Sequence, residues 1–191
     1  MIDGDKVRLR PLRREDVALF VEWLRDPEVA HHLGRMPFPR TEADERRWVE
    51  KVAADESNHV FAIEEADGAV IGSIGLHNME WGAGKAELGV VIGEKRYWDQ
   101  GYGTDAVRAL LGFAFDEMGL RRISLTVFDD NPRAVRVYEK CGFRHEGVER
   151  VARDGAGAFR NELRMGIVAR EFREGRSAVV TGPPPGAASD P

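Results

Sequence analysis

The chain has 191 residues, 42% of them hydrophobic and 32% charged, a composition that argues against a disordered chain and fits one medium domain. With 28 Lys+Arg against 33 Asp+Glu the net charge is -5, so no chain-wide electrostatic grip on nucleic acid is expected. The single cysteine, Cys141, excludes an intramolecular disulfide framework and a multi-cysteine zinc site. No run approaches the roughly 18 apolar residues of a membrane span. The opening Met1-Ile2-Asp3-Gly4-Asp5 lacks the basic and apolar regions of a secretory signal, so the expectation is a cytoplasmic protein with no membrane partner.

Val7-Arg8-Leu9-Arg10 alternates apolar and polar and stops at Pro11, which predicts a first strand. Val17, Phe20, Val21 and Leu24 recur at helical spacing up to Pro27. Residues 31–40 contain Gly34, Pro37 and Pro39 and read as a loop. Thr41 followed by Asp44 resembles a helix N-cap, with a polar helix running on towards Ala54. Two strands over 60–64 and 69–77 flank Asp67-Gly68, a hairpin signal. A further strand is predicted over 85–92, a helix with one apolar face over 104–118, and a short buried strand over 123–127. Residues 131–141 form a helix closed by Gly142, and strands over 143–151 and 159–168 complete the pattern. The alternation predicts an α/β (α+β) fold, a mixed sheet covered by helices. The stretch 177–191, rich in Pro, Gly and Ala, reads as a flexible tail because it has few large apolar groups to bury.

Two segments carry chemistry. Val90-Val91-Ile92-Gly93 ends a strand, and Trp98-Asp99-Gln100-Gly101-Tyr102-Gly103-Thr104 then leads into a helix. A glycine-rich turn at a helix N-terminus offers backbone amides and a partial positive charge to a phosphate, though a plain strand-to-helix turn has the same letters. It is neither the dinucleotide fingerprint nor a Walker loop, for it lacks the third glycine and the Lys-Ser/Thr pair. The second segment is Asn131-Pro132-Arg133-Ala134-Val135-Arg136-Val137-Tyr138-Glu139-Lys140-Cys141-Gly142-Phe143. Asn at the cap and Pro at the first position fit a short helix, with Ala134, Tyr138 and Cys141 on one face. By this spacing Tyr138 is either a core aromatic or a functional phenol, and Cys141 is a small core residue.

The order strand, W-x-x-G-Y-G-T, helix, strand, N-P-x-A-x-x-x-Y-x-K-x-G-F resembles the GNAT superfamily of acetyl-CoA-dependent N-acetyltransferases, more narrowly its RimJ/RimL-type branch. Val7-Arg8-Leu9-Arg10-Pro11-Leu12, Ala86-Glu87-Leu88-Gly89 and Phe159-Arg160-Asn161-Glu162-Leu163-Arg164-Met165 extend the likeness over residues 6 to 170. Trp98 stands where many GNAT members carry Gln or Arg. The resemblance implies a mostly antiparallel sheet of about seven strands flanked by about four helices, forming one transferase domain over 1–176. It implies acetyl-CoA as cosubstrate, with Val90, Val91 and Ile92 along the pantetheine arm. Trp98, Gln100, Gly101, Tyr102, Gly103 and Thr104 would form the pyrophosphate loop, Asn131 would lie near the pantetheine, and Tyr138 would face the sulfur. At neutral pH a phenol of pKa about 10 holds the proton that a departing thiolate needs. The implied acceptor is a primary amine, either a protein N-terminus or a small amine such as a polyamine, amino sugar or aminoglycoside. A homodimer is implied as well, and a catalytically silent acyl-CoA-binding module is the competing class.

The base that frees the amine is read from position. Glu87, in the strand leading to the cofactor loop, is the first candidate, with an ion pair as the alternative. His77, at the end of the preceding strand, is the second. His31 and His32 sit in the first long loop, and the five histidines show no ligand spacing, so no metal is expected.

Overall fold

The computed structural model describes residues 1–33, 41–53, 55–152 and 159–180. Strands β1 (Ile2–Asp3) and β2 (Val7–Pro11) precede helices α1 (Asp16–Arg25), α2 (Pro27–His31) and α3 (Glu42–Ala53). Strands β3 (His59–Glu65), β4 (Val70–Glu80) and β5 (Lys85–Ile92) follow, then α4 (Tyr102–Gly112), β6 (Arg122–Phe128), α5 (Pro132–Lys140), β7 (Arg144–Ala152), β8 (Phe159–Val168) and α6 (Ala169–Val180). Eight strands form one sheet in the order β1-β2-β3-β4-β5-β6-β8-β7, antiparallel except where β5 meets β6. This is the expected mixed, mostly antiparallel sheet, enlarged by the two-residue β1 and by the helices α2 and α6.

Local chemistry explains the element ends. Asp26 caps α2 by accepting from the Glu28 amide at 2.9 Å, with Pro27 at the first helical position. A helix therefore occupies the start of the segment read as a loop; residues 34–40 lie outside the described ones. Thr41 and Asp44 cap α3 reciprocally, Thr41 Oγ1 accepting from the Asp44 amide at 3.2 Å and Asp44 Oδ2 from the Thr41 amide at 2.9 Å. The helix predicted over 104–118 begins at Tyr102, and its last stretch, Phe113–Glu117, widens into a π turn. Residues 169–180, read as the end of a strand region and the start of the tail, form α6 instead, where Phe172 packs on Phe115 with ring centroids 5.5 Å apart. The tail from 181 onward lies outside the described residues. No helix among the described residues is long and apolar enough to cross a membrane.

Alternation along the strands divides the core into two. Leu9, Ile63, Ile74, Leu76 and Leu88 join Val107, Leu110, Leu111 and Phe115 on one side of the sheet. Val17, Phe20, Val21, Trp23 and Val29 of α1 and α2 cluster on the other, with Val91 packed against them. Two polar clamps hold this arrangement. Asp105, in the first turn of α4, accepts from the amides of Asp5, Lys6 and Val7 at 3.1, 2.8 and 3.0 Å and so ties the amino-terminal strands to the helix. Arg10, buried in β2, donates to both carboxylate oxygens of the buried Asp16 at 2.8 Å and to Glu64 at 2.8 Å.

Burial opposes ionisation of Asp16, but the guanidinium of Arg10 and the amide of Arg13 outweigh it and hold the carboxyl below the usual carboxylate range. The pair's contribution is therefore fully present above the unfolded carboxyl pKa of about 3.9 and is lost as pH falls through the lower folded value. Asp16→Ala leaves a buried guanidinium with one partner fewer and should cost about 3 kcal/mol, a fall in Tm of roughly 6–12 °C. Thermal unfolding at pH 7 checks this; a Tm within about 2 °C of wild type contradicts it.

Candidate active site

The parallel register between β5 and β6 runs only through Lys85↔Arg122, Ala86↔Ile123 and Glu87↔Ser124. Beyond it the two strands part, and the gap opens into a cavity of about 500 Å³. Its walls are Leu88, Gly89, Val90, Val91 and Ile92 from β5 and Thr126, Val127 and Phe128 from β6. A strand edge without a partner carries amide and carbonyl groups that a bound extended molecule can pair with.

The N-terminus of α4 points into the same cavity. Gly101 caps this helix at φ +87°, a left-handed conformation that glycine adopts without strain, and no side chain caps the helix. Its first amides are thus presented to the cavity, which Gly101, Gly103 and Thr104 line. Gln100 and Tyr102 do not line it. The Gln100 side-chain amide donates to the Arg96 carbonyl, the Gln100 backbone carbonyl accepts from Lys6 Nζ at 2.9 Å, and Tyr102 stacks edge-on to Tyr97. Trp98 does line it, donating through Nε1 to the Ile92 carbonyl at 2.7 Å and so fixing the loop to the end of β5.

Helix α5 forms the opposite wall. Asn131 serves as its cap, Oδ1 accepting from the Ala134 amide at 3.2 Å, and also lines the cavity. Tyr138 lines it from the inner face of the helix, buried against Phe143. Desolvation, with the neighbouring Cys141 adding to it, pushes the phenol above its ordinary pKa, so it is protonated throughout the neutral range. Arg133 and Arg136, at open positions of the second motif, and Lys140, its fixed lysine, bring three positive charges to the rim. Arg133 lies over the Trp98 ring at 3.8 Å. Helical spacing of these three was the available signal, but it does not say what they face. Glu162 of β8 also lines the cavity, brought there by a strand distant in sequence.

A second cavity of about 320 Å³ lies between the sheet and α1. It shares Val29, Leu33, Gly89, Val90 and Val91 with the first, and Phe20, Trp23, Ser73 and His77 complete much of its wall. Glu87 stands apart from both. Its exposed carboxylate accepts from Asn78 Nδ2 at 2.9 Å and lines neither cavity.

The fold brings His31, His32 and Asp130 together, with ligand atoms within 4.8 Å of one another, which their sequence spacing did not foretell. The guanidinium of Arg160 donates to Asp130 and lies 3.4 Å from His31 Nε2, placing a positive charge within that group. Burial, with the neighbouring His31 adding to it, holds His32 below the ordinary imidazole value, so it faces the larger cavity neutral at pH 7.

Cys141 is buried below Tyr138, its thiol donating to the Thr104 carbonyl at 3.6 Å, and desolvation pushes it up to about 12. At pH 8 only on the order of one part in 10⁴ is thiolate, so the folded protein should resist a disulfide reagent for hours and react within minutes once unfolded. Stoichiometric labelling of the folded chain within minutes contradicts this burial.

Comparisons with known proteins match this geometry. A family model described as an acetyltransferase (GNAT) domain matches residues 6–144. The spermidine N(1)-acetyltransferase of Escherichia coli (strain K12) is 26% identical over 172 residues, covering 90% of this chain and 91% of the relative. An uncharacterized N-acetyltransferase of Bacillus licheniformis, p20, is 24% identical over 173 residues, 88% of this chain and 96% of the relative. Among solved structures, spermidine N-acetyltransferase from Vibrio cholerae in complex with CoA and spermine superposes with a TM-score of 0.81 at 23% identity, over 89% of this chain and 99% of that one. A GNAT-family acetyltransferase from Bacillus anthracis superposes with a TM-score of 0.77 at 27% identity, over 89% and 99%. The chain belongs to the GNAT acetyltransferase family and is an acetyl-CoA-dependent N-acetyltransferase.

Proposed function

We propose that acetyl-CoA lies in the gap between β5 and β6 and that a small primary amine of the polyamine class reaches its thioester from the second cavity. The observation that carries this reading is the parting of the two strands after three paired positions. It gathers an open strand edge, an uncapped helix N-terminus, the rim cations and Tyr138 around one space. The pantetheine arm pairs with the edge formed by Val90, Val91 and Ile92. The amides of Gly103 and Thr104 take the pyrophosphate, and Arg133, Arg136 and Lys140 complement the remaining phosphate charge. Asn131 flanks the arm. The transferase unit is a single domain over 1–176, its last helix α6 running four residues further.

A small amine is favoured over the protein N-terminus that the RimJ/RimL likeness implied, because a named relative at 26% identity is a spermidine acetyltransferase. The net charge of -5 favours a cationic acceptor.

The amine nitrogen attacks the thioester carbonyl, a strand amide stabilises the oxyanion, and the C–S bond breaks as the thiolate takes the Tyr138 proton. Burial raises the Tyr138 phenol and the neighbouring Cys141 thiol alike, so the phenol keeps its proton through the neutral range and a thiolate formed in the same surroundings is driven to take one.

Tyr138→Phe keeps the ring packed and removes the proton. Turnover of acetyl-CoA with spermidine should fall about 10²- to 10⁴-fold. The Kd for acetyl-CoA, from titration calorimetry, should stay within about twofold of wild type. Wild-type turnover would leave Tyr138 as a core residue only.

A further inference from the structure

We infer that helix α2 is a strap across the parted strands and that Arg160 is the positioning residue that fixes it, setting the wall against which the acceptor meets the thioester. This rests on the acceptor entering through the second cavity, as proposed above.

The two ends of α2 are tied to opposite sides of the gap. At its start, Lys95 Nζ, in the loop that follows β5, lies 2.7 Å from Asp26 Oδ2 and 3.1 Å from Glu28 Oε2. At its end, Arg160, the second residue of β8, reaches His31, the last residue of the helix. Arg160 Nη1 donates to the His31 carbonyl at 3.2 Å, one of the carbonyls that a helix end leaves without an intrahelical partner. Nη2 donates to Asp130 Oδ1 and lies 3.4 Å from His31 Nε2, and Asp130 Oδ2 lies 3.2 Å from the same ring nitrogen. The guanidinium also covers the Phe128 ring, 3.7 Å from its centroid. One side chain thus joins α2 to the end of β6 and to the loop before α5.

The sheet end of this tie is firmly held. Phe128 pairs with Glu162 in the β6–β8 register, the Asp129 amide donates to the Asn161 carbonyl at 3.0 Å, and Asn161 Nδ2 donates to Asp129 Oδ2 at 2.8 Å. What the tie holds in place is cavity wall. Val29 and Leu33 line both cavities and His32 lines the larger one, as do Phe128 and Asn131 on either side of the anchor. The donor's proposed contacts come from β5, α4 and α5, whereas Val29 and Leu33 close the second cavity together with Phe20, Trp23 and Leu24 of α1. A shift of α2 therefore displaces the acceptor more than the donor.

Stability alone does not account for Arg160. It is only 9% exposed, and among the described residues its Nε has no hydrogen-bond partner. Burying a guanidinium with one N–H unpaired costs free energy, and apolar residues often close such a seam at equal or lower cost. The forked group supplies what they cannot, a fixed length and direction between the segments it joins. The tie at Lys95 is a solvent-exposed ion pair, worth little by itself, so the buried tie sets the position.

Steady-state acetylation of spermidine tests this with Arg160→Met, Arg160→Lys and Asp130→Asn. Arg160→Met keeps a long side chain and loses both fork and charge. Its kcat/KM for spermidine should fall about 10- to 10²-fold, mostly through KM, with the Kd for acetyl-CoA within about twofold of wild type. KM does not depend on the fraction of protein folded, so a variant that is only destabilised keeps the wild-type value. Arg160→Lys retains the charge without the fork and should stay within about threefold of Arg160→Met. Asp130→Asn weakens the anchor at nearly constant shape and should raise the same KM by about threefold. Hydrogen exchange at residues 30–33 should quicken in Arg160→Met while the β6–β8 ladder stays as protected as before. A wild-type KM for spermidine in Arg160→Met or in Asp130→Asn, full recovery in Arg160→Lys, or acetyl-CoA affinity lost in proportion overturns the role of Arg160 and leaves acetyl transfer standing. Wild-type protein that acetylates no small amine overturns the acceptor reading and this inference together.

Discussion

Everything around the site depends on the point at which β5 and β6 stop pairing. Two parallel strands normally continue their ladder, because each unpaired peptide group left in a protein interior costs free energy. Here the ladder ends after Glu87↔Ser124, and the chain on either side is committed to other tasks. β5 stays in register with β4 through Ile92, and β6 stays in register with β8 through Phe128. Each strand is held on its outer edge and released on its inner one, so the gap is built into the sheet and needs no bound molecule to prise it open.

The helices exploit that gap from opposite sides. Asp105 draws the amino-terminal strands onto the first turn of α4, which leaves the amides of that turn facing the cavity. Trp98 binds the intervening loop back to the carbonyl of Ile92, and its indole face supports Arg133 of α5. Strand end, phosphate loop and cationic helix face are therefore mechanically linked. The same strand, through Gly89 to Val91, separates the larger cavity from the second one. In the proposed reaction donor and acceptor meet at one thioester beside this shared stretch of β5, and no covalent intermediate on the protein is required.

Much of this was legible in the amino-acid sequence where the signal is local. Gly101, the Asn131-Pro132 cap and the i, i+4, i+7 face of Ala134, Tyr138 and Cys141 are determined by neighbours within a few residues, and their elements formed as expected. The larger cavity collects Val90, Val91, Ile92, Trp98, Gly101, Gly103, Thr104, Asn131 and Tyr138, but leaves out Gln100, Tyr102 and Glu87. Those three are governed by contacts that spacing does not encode: Gln100 with Arg96 and Lys6, Tyr102 with Tyr97, Glu87 with Asn78 across a hairpin. Glu162 and the group of His31, His32, Asp130 and Arg160 escaped the sequence reading for the same reason, since residues up to 129 positions apart meet there. The helix at residues 169–180 was missed because its short apolar content resembles the end of a strand and the beginning of a polar tail.

The central claim is that the cofactor occupies the gap between β5 and β6. Hydrogen–deuterium exchange with and without acetyl-CoA addresses it most directly, because a molecule paired to the open edge must slow exchange of the amides it covers. The account predicts new protection confined to residues 88–92 and to the first turn of α4, with the ladder between β7 and β8 unchanged. Saturating acetyl-CoA that leaves residues 88–92 exchanging as before, or that protects a different surface, would contradict it.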